Sequence, residues 1–292
     1  MESLGMRTAQ FLALIVLFSA CSSEENLEPS LLDGRTFQTI APDSLSDESE
    51  IVLVLHGYSS DADEMITVLE LEERAEEQSV IFVVPDGLED STQQQYWNAE
   101  GACCDIFNAR NDDVAFLRAL IEQTVEDFNG IDRPIFAIGH SNGGFMSHRL
   151  ACNDETGLIE GIATVAGALP TLPDEFDCSR PPESPLRVVH VHGTSDEVIA
   201  YGGSDILNQD YPSAVQTAQF WAGHLGCDET LPGVSDTKDL DASQEGIDTD
   251  VFQFACPTSS TNLVEHWRTN DGLHVPDPTE EYIGELLNFL RL

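Results

Sequence analysis

Lysine is almost missing from this chain. Lys238 is the only one in 292 residues, and with eleven arginines it faces 53 acidic residues, for a formal net charge of −41. So negative a molecule repels nucleic-acid phosphates and anionic headgroups, which excludes a general nucleic-acid binder. The apolar run at residues 11–20 has ten residues, half of what a membrane-spanning helix needs. No CxxC spacing occurs among the seven cysteines, which argues against a zinc site. The acids Asp236, Asp239, Asp241, Glu245, Asp248 and Asp250 are dense but lack EF-hand spacing, so a solvated acidic loop is expected there rather than a calcium site. No internal repeat is present.

What is there points to a folded, exported domain. Apolar residues make up 41% of the chain, with fourteen Phe, and they cluster in compact runs that can form a sizeable core despite the charge. The acid excess is that of a protein from a saline habitat or of an ordinary acidic secreted protein. Residues 11–20, FLALIVLFSA, follow Arg7 and stop at Cys21, so residues 1–20 read as a signal peptide. Ser19 and Ala20 directly before the cysteine resemble a bacterial lipoprotein cleavage box, with Phe18 where leucine is commoner. That resemblance implies a lipidated Cys21 in the cell envelope, with the lipid anchor as the only membrane contact; ordinary secretion is the alternative. Residues 21–34 read as a polar tether and residues 35–292 as the domain. Setting Cys21 aside leaves Cys103, Cys104, Cys152, Cys178, Cys227 and Cys256, an even number as expected for an exported chain in which all pair. Fifteen pairings are open.

Short continuous apolar runs at residues 51–55 (IVLVL), 80–84 (VIFVV), 134–138 (PIFAI), 161–166 (GIATVA) and 186–191 (LRVVHV) mark strands buried on both faces. Helical spacing appears at residues 63–78, 112–128 and 279–290. The alternation predicts an α/β fold: one domain, a mainly parallel sheet, helices on both faces. Residues 35–40 are expected as an antiparallel edge strand, and residues 227–250 as an irregular acidic excursion. Asp112 and Asp113 precede a helix and serve as capping residues.

After the strand at 134–138 comes Gly139-His140-Ser141-Asn142-Gly143-Gly144 and then a helical stretch. A G-x-S-x-G between strand and helix is a nucleophile elbow, a sharp turn that exposes the serine Oγ and aims a helix N-terminus at a developing oxyanion. A serine nucleophile needs a base and an orienting acid, which in this topology follow in the order Ser, Asp, His on loops after later strands. Asp196, in His192-Gly193-Thr194-Ser195-Asp196, is the leading acid, with Glu197 its neighbour and rival. His274, in the glycine-containing loop after a strand-like run at 262–268, is the leading base. His190 and His266 lie inside strands, His140 inside the elbow, and His148 and His224 on helical segments. The oxyanion donors are the backbone N–H of Asn142, next to the serine, and of Tyr58, after the strand at 51–55.

The segments LHGYSSDADEM, VPDG, YWNAEGACC, NDDVAFLRALI, GHSNGGFMSHRLAC, HVHGTSDEVIAYGG and WAGHLGC occur in that order. Together they resemble the secreted esterases that include feruloyl esterases, acetylxylan esterases and polyhydroxybutyrate depolymerases, with their lipoprotein relatives. The resemblance covers about residues 35–290. It implies an α/β-hydrolase fold, no cofactor, and Ser141, Asp196 and His274 as the triad. By similarity Cys227 and Cys256 bridge the acidic excursion, and Cys103 and Cys104 pair with Cys152 and Cys178; a vicinal Cys103–Cys104 bridge is the less expected arrangement. Trp97, Asn98 and Tyr201 fall in or beside loops expected to line the cleft, where an aromatic could stack on a feruloyl ring or a sugar; a core role for Trp97 is the other reading. The family pattern Gly-Gly-His-x-Trp-Pro is Gly272-Leu273-His274-Val275-Pro276 here, without the tryptophan, which unsettles the acyl pocket. The expectation is an exported serine esterase acting on feruloyl or acetyl esters of plant polysaccharide. A polyhydroxybutyrate depolymerase is second, and a non-catalytic glycan-binding lipoprotein is the rival from another class.

Overall fold

Residues 31–46, 49–128, 133–258 and 260–291 are described in the computed structural model, and the expected signal peptide, with Cys21, lies outside them. The compact unit begins at Leu31. Near that start the Arg35 guanidinium pairs with the buried Asp113 carboxylate at 2.9 Å and lies over the Phe116 ring.

Apolar, β-branched runs become strands and the amphipathic stretches between them become helices. The order is β1 (Phe37–Ile40), β2 (Ile51–Leu55), α1 (Ala62–Val68), α2 (Leu71–Gln78), β3 (Ile81–Pro85), β4 (Leu88–Glu89), β5 (Gln95–Tyr96), α3 (Asp113–Asp127), β6 (Ile135–His140) and α4 (Asn142–Cys152). It continues with β7 (Gly161–Val165), β8 (Arg187–Gly193), β9 (Ser204–Ile206), β10 (Gln209–Tyr211), α5 (Ala214–His224), β11 (Asp236–Lys238), β12 (Thr249–Gln253), β13 (Leu263–Thr269) and α6 (Tyr282–Arg291). Among the described residues the main sheet runs β1-β3-β2-β6-β7-β8-β13-β12-β11. Strands β3, β2, β6, β7, β8 and β13 are parallel, β1 closes one edge antiparallel to β3, and β12 and β11 extend the other edge antiparallel. Because both faces are covered, the parallel strands carry side chains into two cores. Leu117, Phe145 and Trp221 from α3, α4 and α5 fill one; Met65, Leu71 and Leu286 from α1, α2 and α6 fill the other.

The structure departs from the sequence reading in three places. The helix expected over 63–78 is two helices, broken at Glu70, whose φ of 51° is left-handed. In one unbroken helix Met65 and Leu71, six residues apart, would point about 120° from each other; the break lets both face the core, and Glu70 then pairs with Arg74 at 2.7 Å. The acidic excursion is not simply a solvated loop. It supplies β11, and its Asp241 and Asp248 are buried and fold the connection: Asp248 accepts from Leu240 N, Asp241 N and Thr249 Oγ1, and Asp241 from Ser243. The cysteines bridge as Cys103–Cys104, Cys152–Cys178 and Cys227–Cys256. Only the last agrees with the pairing implied by resemblance. Cys152, at the end of α4, meets Cys178, so Cys103 and Cys104 are left to each other.

Candidate active site

All the loops singled out from sequence leave the same edge of the sheet, the C-terminal ends of β2, β6, β8 and β13. Ser141 sits between β6 and α4 with φ 52° and ψ −118°, a conformation that costs a non-glycine residue energy and that the packing around it enforces. The turn is tight because Gly143 carries no side chain; a Cβ there would lie 2.1 Å from Leu55 O at the end of β2. The loops after β8 and β13 also touch. A Cβ on Gly193 would lie 2.2 Å from Gly272 O, and Ser195 N–H donates to Gly272 O at 2.9 Å.

This stitching brings three side chains into line. His274 Nε2 is 2.8 Å from Ser141 Oγ, and His274 Nδ1 is 2.8 Å from Asp196 Oδ2. The carboxylate accepts only, so Nδ1 carries the proton and Nε2 faces the hydroxyl as acceptor. Asp196 is held on its other oxygen by Val198 N and Ile199 N, each at 2.8 Å. Burial alone would raise its pKa, but the hydrogen bonds from His192, His274 and Ile199 outweigh burial and hold the group well below the usual carboxylate range. Glu197, the rival acid, is exposed and makes no such contact with His274. His140 donates from Nε2 to His274 O, 2.9 Å away, and burial pushes its pKa down to about 4; it braces the loop of His274 as a neutral ring.

Asn142 is the first residue of α4, directly after Ser141, so its N–H has no partner within the helix. Tyr58 follows β2 and, like Ser141, lines the cavity described below. Trp97 ties these two segments together. Its backbone exchanges hydrogen bonds with the Asn142 side chain, 2.7 and 2.8 Å, and its Nε1–H donates to His56 O at 3.0 Å. Trp97 is thus wholly buried behind the site and is not a cleft residue. Asn98 is buried too, held by Asp113 and Asn111 O, and Tyr201 donates its hydroxyl toward His266 Nε2 at 2.7 Å. None of these three lines the cavity: each has its polar groups satisfied inside the protein. Asp112 caps α3 through Ala115 N, as expected, whereas Asp113 is a buried ion-pair partner.

A cavity of about 360 Å³ opens beside Ser141 and His274. Its walls are Met65, Val68 and Leu69 from α1 and its C-terminal end, and Pro276, Tyr282 and Ile283 from the last loop and α6. Glu64 is the only carboxylate among its lining residues, and Val275 takes its place at the mouth. Sequence did not reveal these walls. Their signal was indirect: the tryptophan of the resembled family pattern is missing after His274. Among the described residues no three His, Cys, Asp or Glu side chains are gathered as metal ligands would be. Such a site can do acyl transfer: a hydroxyl with a base in line and a carboxylate that orients the base.

A sheet of this order, with a serine elbow after β6 and the acid and histidine after β8 and β13, defines an α/β hydrolase. Within that class the chain belongs to the phospholipase/carboxylesterase family, whose model matches residues 38–231 and so includes Ser141 and Asp196. It is 28% identical over 170 residues to a putative esterase, NocK, of Nocardia uniformis subsp. tsuyamanensis, covering 58% of this chain and 46% of that protein. It is 26% identical over 204 residues to a probable feruloyl esterase C of Aspergillus niger, covering 67% of this chain and 64% of that protein. The chain therefore spans less than two thirds of these relatives' own length. An acetyl xylan esterase from Aspergillus awamori shares the fold, with TM-score 0.61 over 88% of this chain and 94% of that one at 13% identity.

Proposed function

We propose that this protein is an exported serine esterase that hydrolyses feruloyl or acetyl esters on plant polysaccharide. The observation that carries the reading is the line Ser141–His274–Asp196, with 2.8 Å at each step, at the floor of an apolar cavity. Ser141 Oγ attacks the ester carbonyl as His274 Nε2 takes its proton. The N–H groups of Asn142 and Tyr58 receive the oxyanion, and Asp196 keeps the imidazole in the required tautomer. His274 then gives the proton to the leaving alkoxide, and later takes one from the water that releases the acid. Three disulfides support export, because such bridges persist in oxidising compartments. Lipidation of Cys21 completes the proposal.

A second reading, a polyhydroxybutyrate depolymerase with the same chemistry, is favoured by the exposure of Leu273 and Val275, 60% and 64%, on either side of His274. Such a rim suits an apolar polyester surface. The test is hydrolysis of p-nitrophenyl acetate by wild type and Ser141→Ala, followed by methyl ferulate and 3-hydroxybutyrate oligomers side by side. Ser141-dependent turnover is expected. Equal background rates from both proteins would return the chain to the glycan-binding rival, and turnover of the oligomers without methyl ferulate would select the second reading.

A further inference from the structure

The space behind Asp196 is filled by histidines. His192, the next-to-last residue of β8, is buried, with Nε2 2.7 Å from Ile199 O and 3.2 Å from Asp196 Oδ2. Both neighbours only accept, so Nε2 must carry the hydrogen that lies between them. On its other side Nδ1 is 3.3 Å from His190 Nε2, and His190 Nδ1 is 2.9 Å from Thr164 Oγ1. The ring therefore has a fixed orientation, set from the sheet. Its reach is specific. Ile199 is the residue whose N–H donates to Asp196 Oδ1, while its carbonyl accepts from His192. One imidazole thus spans both ends of the turn that carries the carboxylate. It also reaches the same oxygen, Oδ2, that His274 uses.

We propose that His192 is a positioning residue for ester hydrolysis, one that pins the 196–199 turn and shares Asp196 Oδ2 with His274. The inference rests on the esterase reading of Ser141. With His192 in place, the negative charge of Oδ2 is divided between two N–H groups. Without it, Oδ2 belongs to His274 alone, so the protonated base is better stabilised and harder to discharge. The turn also loosens, which harms kcat more than substrate binding. The other ionisable groups facing this cluster are His140 and Glu64 on the cavity side, His190, His266 and Arg268 on the sheet, and Tyr201 and Tyr211 beyond β8. Burial pushes His140 down to about 4, His266 down to about 3 and His190 well below its ordinary value, and pushes both tyrosines up. Those five groups are therefore silent between pH 5 and 8, and Glu64 and Arg268 are common to all variants.

The test compares two amides at position 192. Glutamine places its N–H₂ where His192 Nε2 lies, whereas asparagine reaches only the Nδ1 position and leaves Asp196 without this donor. Wild type, Ser141→Ala, His192→Gln and His192→Asn are assayed on p-nitrophenyl acetate from pH 5 to 9, with melting temperatures alongside. His192→Asn is expected to lose about tenfold in kcat with KM within about twofold. The acid limb of its kcat/KM profile should move up by about half a pH unit, and His192→Gln should restore both. If His192→Asn does not fold, His192→Phe, of similar volume and without a donor, takes its place; failure of both to fold would make the residue structural and overturn the proposal. So would wild-type kcat and an unmoved acid limb in the donorless variant, or equal losses in the asparagine and glutamine variants. Absence of Ser141-dependent turnover in wild type is a separate outcome; it sinks the esterase reading and this inference with it.

Discussion

Asp196 after β8 and Glu265 within β13 are buried carboxylates on neighbouring strands of one sheet, and burial treats them differently. Asp196 has Val198 N and Ile199 N on one oxygen and His274 and His192 on the other, and its pKa falls. Glu265 accepts a hydrogen bond from Trp267 Nε1, 2.6 Å away, with Lys238 acting only at a distance; burial dominates and its pKa rises. Desolvation penalises both charges alike. The number of donors aimed at each decides the outcome. On the proposed mechanism Asp196 must stay charged to orient a base, and its donors are built in, two from backbone and two from histidines. Glu265 has no such surround and belongs to the packing of the β11–β13 flank.

The largest effect that separates the two is on turnover. On the proposed mechanism Asp196→Asn reverses the hydrogen-bonding preference at His274 Nδ1 and holds the wrong tautomer, so kcat should fall about ten-thousand-fold with little change in KM. Glu265→Gln should leave kcat near that of wild type. Steady-state kinetics on p-nitrophenyl acetate reads both, and a comparable loss in Glu265→Gln would erase the functional distinction between the two groups.

Next in size is the dependence of Glu265 on its hydrogen bond. Trp267→Phe keeps an aromatic ring but removes the donor, leaving a buried carboxylate bare, which should cost about 2 kcal/mol at neutral pH. Part of any loss is packing, since Trp267 is buried against Phe289 and under Lys238. A double-mutant cycle with Glu265→Gln isolates the pair, and a coupling energy of about 1–2 kcal/mol from urea unfolding is expected. Strict additivity would mean that the Trp267–Glu265 bond contributes nothing.

The same contrast shows what the sequence could and could not tell. The parallel strands were legible because strands buried on both faces must be continuously apolar, as IVLVL and VIFVV are. The line of Ser141, His274 and Asp196 was legible because the chemistry proposed for it demands particular residue types in particular turns after those strands. The β11–β12 flank was not: DTK and TDVFQ alternate polar and apolar residues on short antiparallel strands, and the acids mask them. The cavity walls escaped for another reason. Met65, Val68 and Tyr282 look like ordinary core positions of amphipathic helices, and only the break at Glu70 and the closeness of α1 to α6 turn them toward Ser141. His192 stood four residues before Asp196 in plain view. Its role depends on a ring orientation that only three-dimensional contacts reveal.

The smallest effect is a slope. Because the folded state binds the Glu265 proton more tightly than the unfolded chain does, the neutral group favours folding and the charged group opposes it. Its stabilising contribution is fully present below the ordinary glutamate value of about 4.3. It is lost as pH rises from there through the raised folded value. Asp196 runs the other way: its contribution is present above the ordinary aspartate range and is lost as pH falls toward its depressed folded value. Glu265→Gln removes the first titration and keeps the second. The difference in unfolding free energy, variant minus wild type, should therefore climb with pH from about 4.3 upward and then level off, by about 1.4 kcal/mol for each unit of raised pKa. Urea titrations every half pH unit from 4 to 8 measure it. A flat difference would show that Glu265 is as well solvated in the fold as in the unfolded chain, and a falling one would show that it, like Asp196, is held charged.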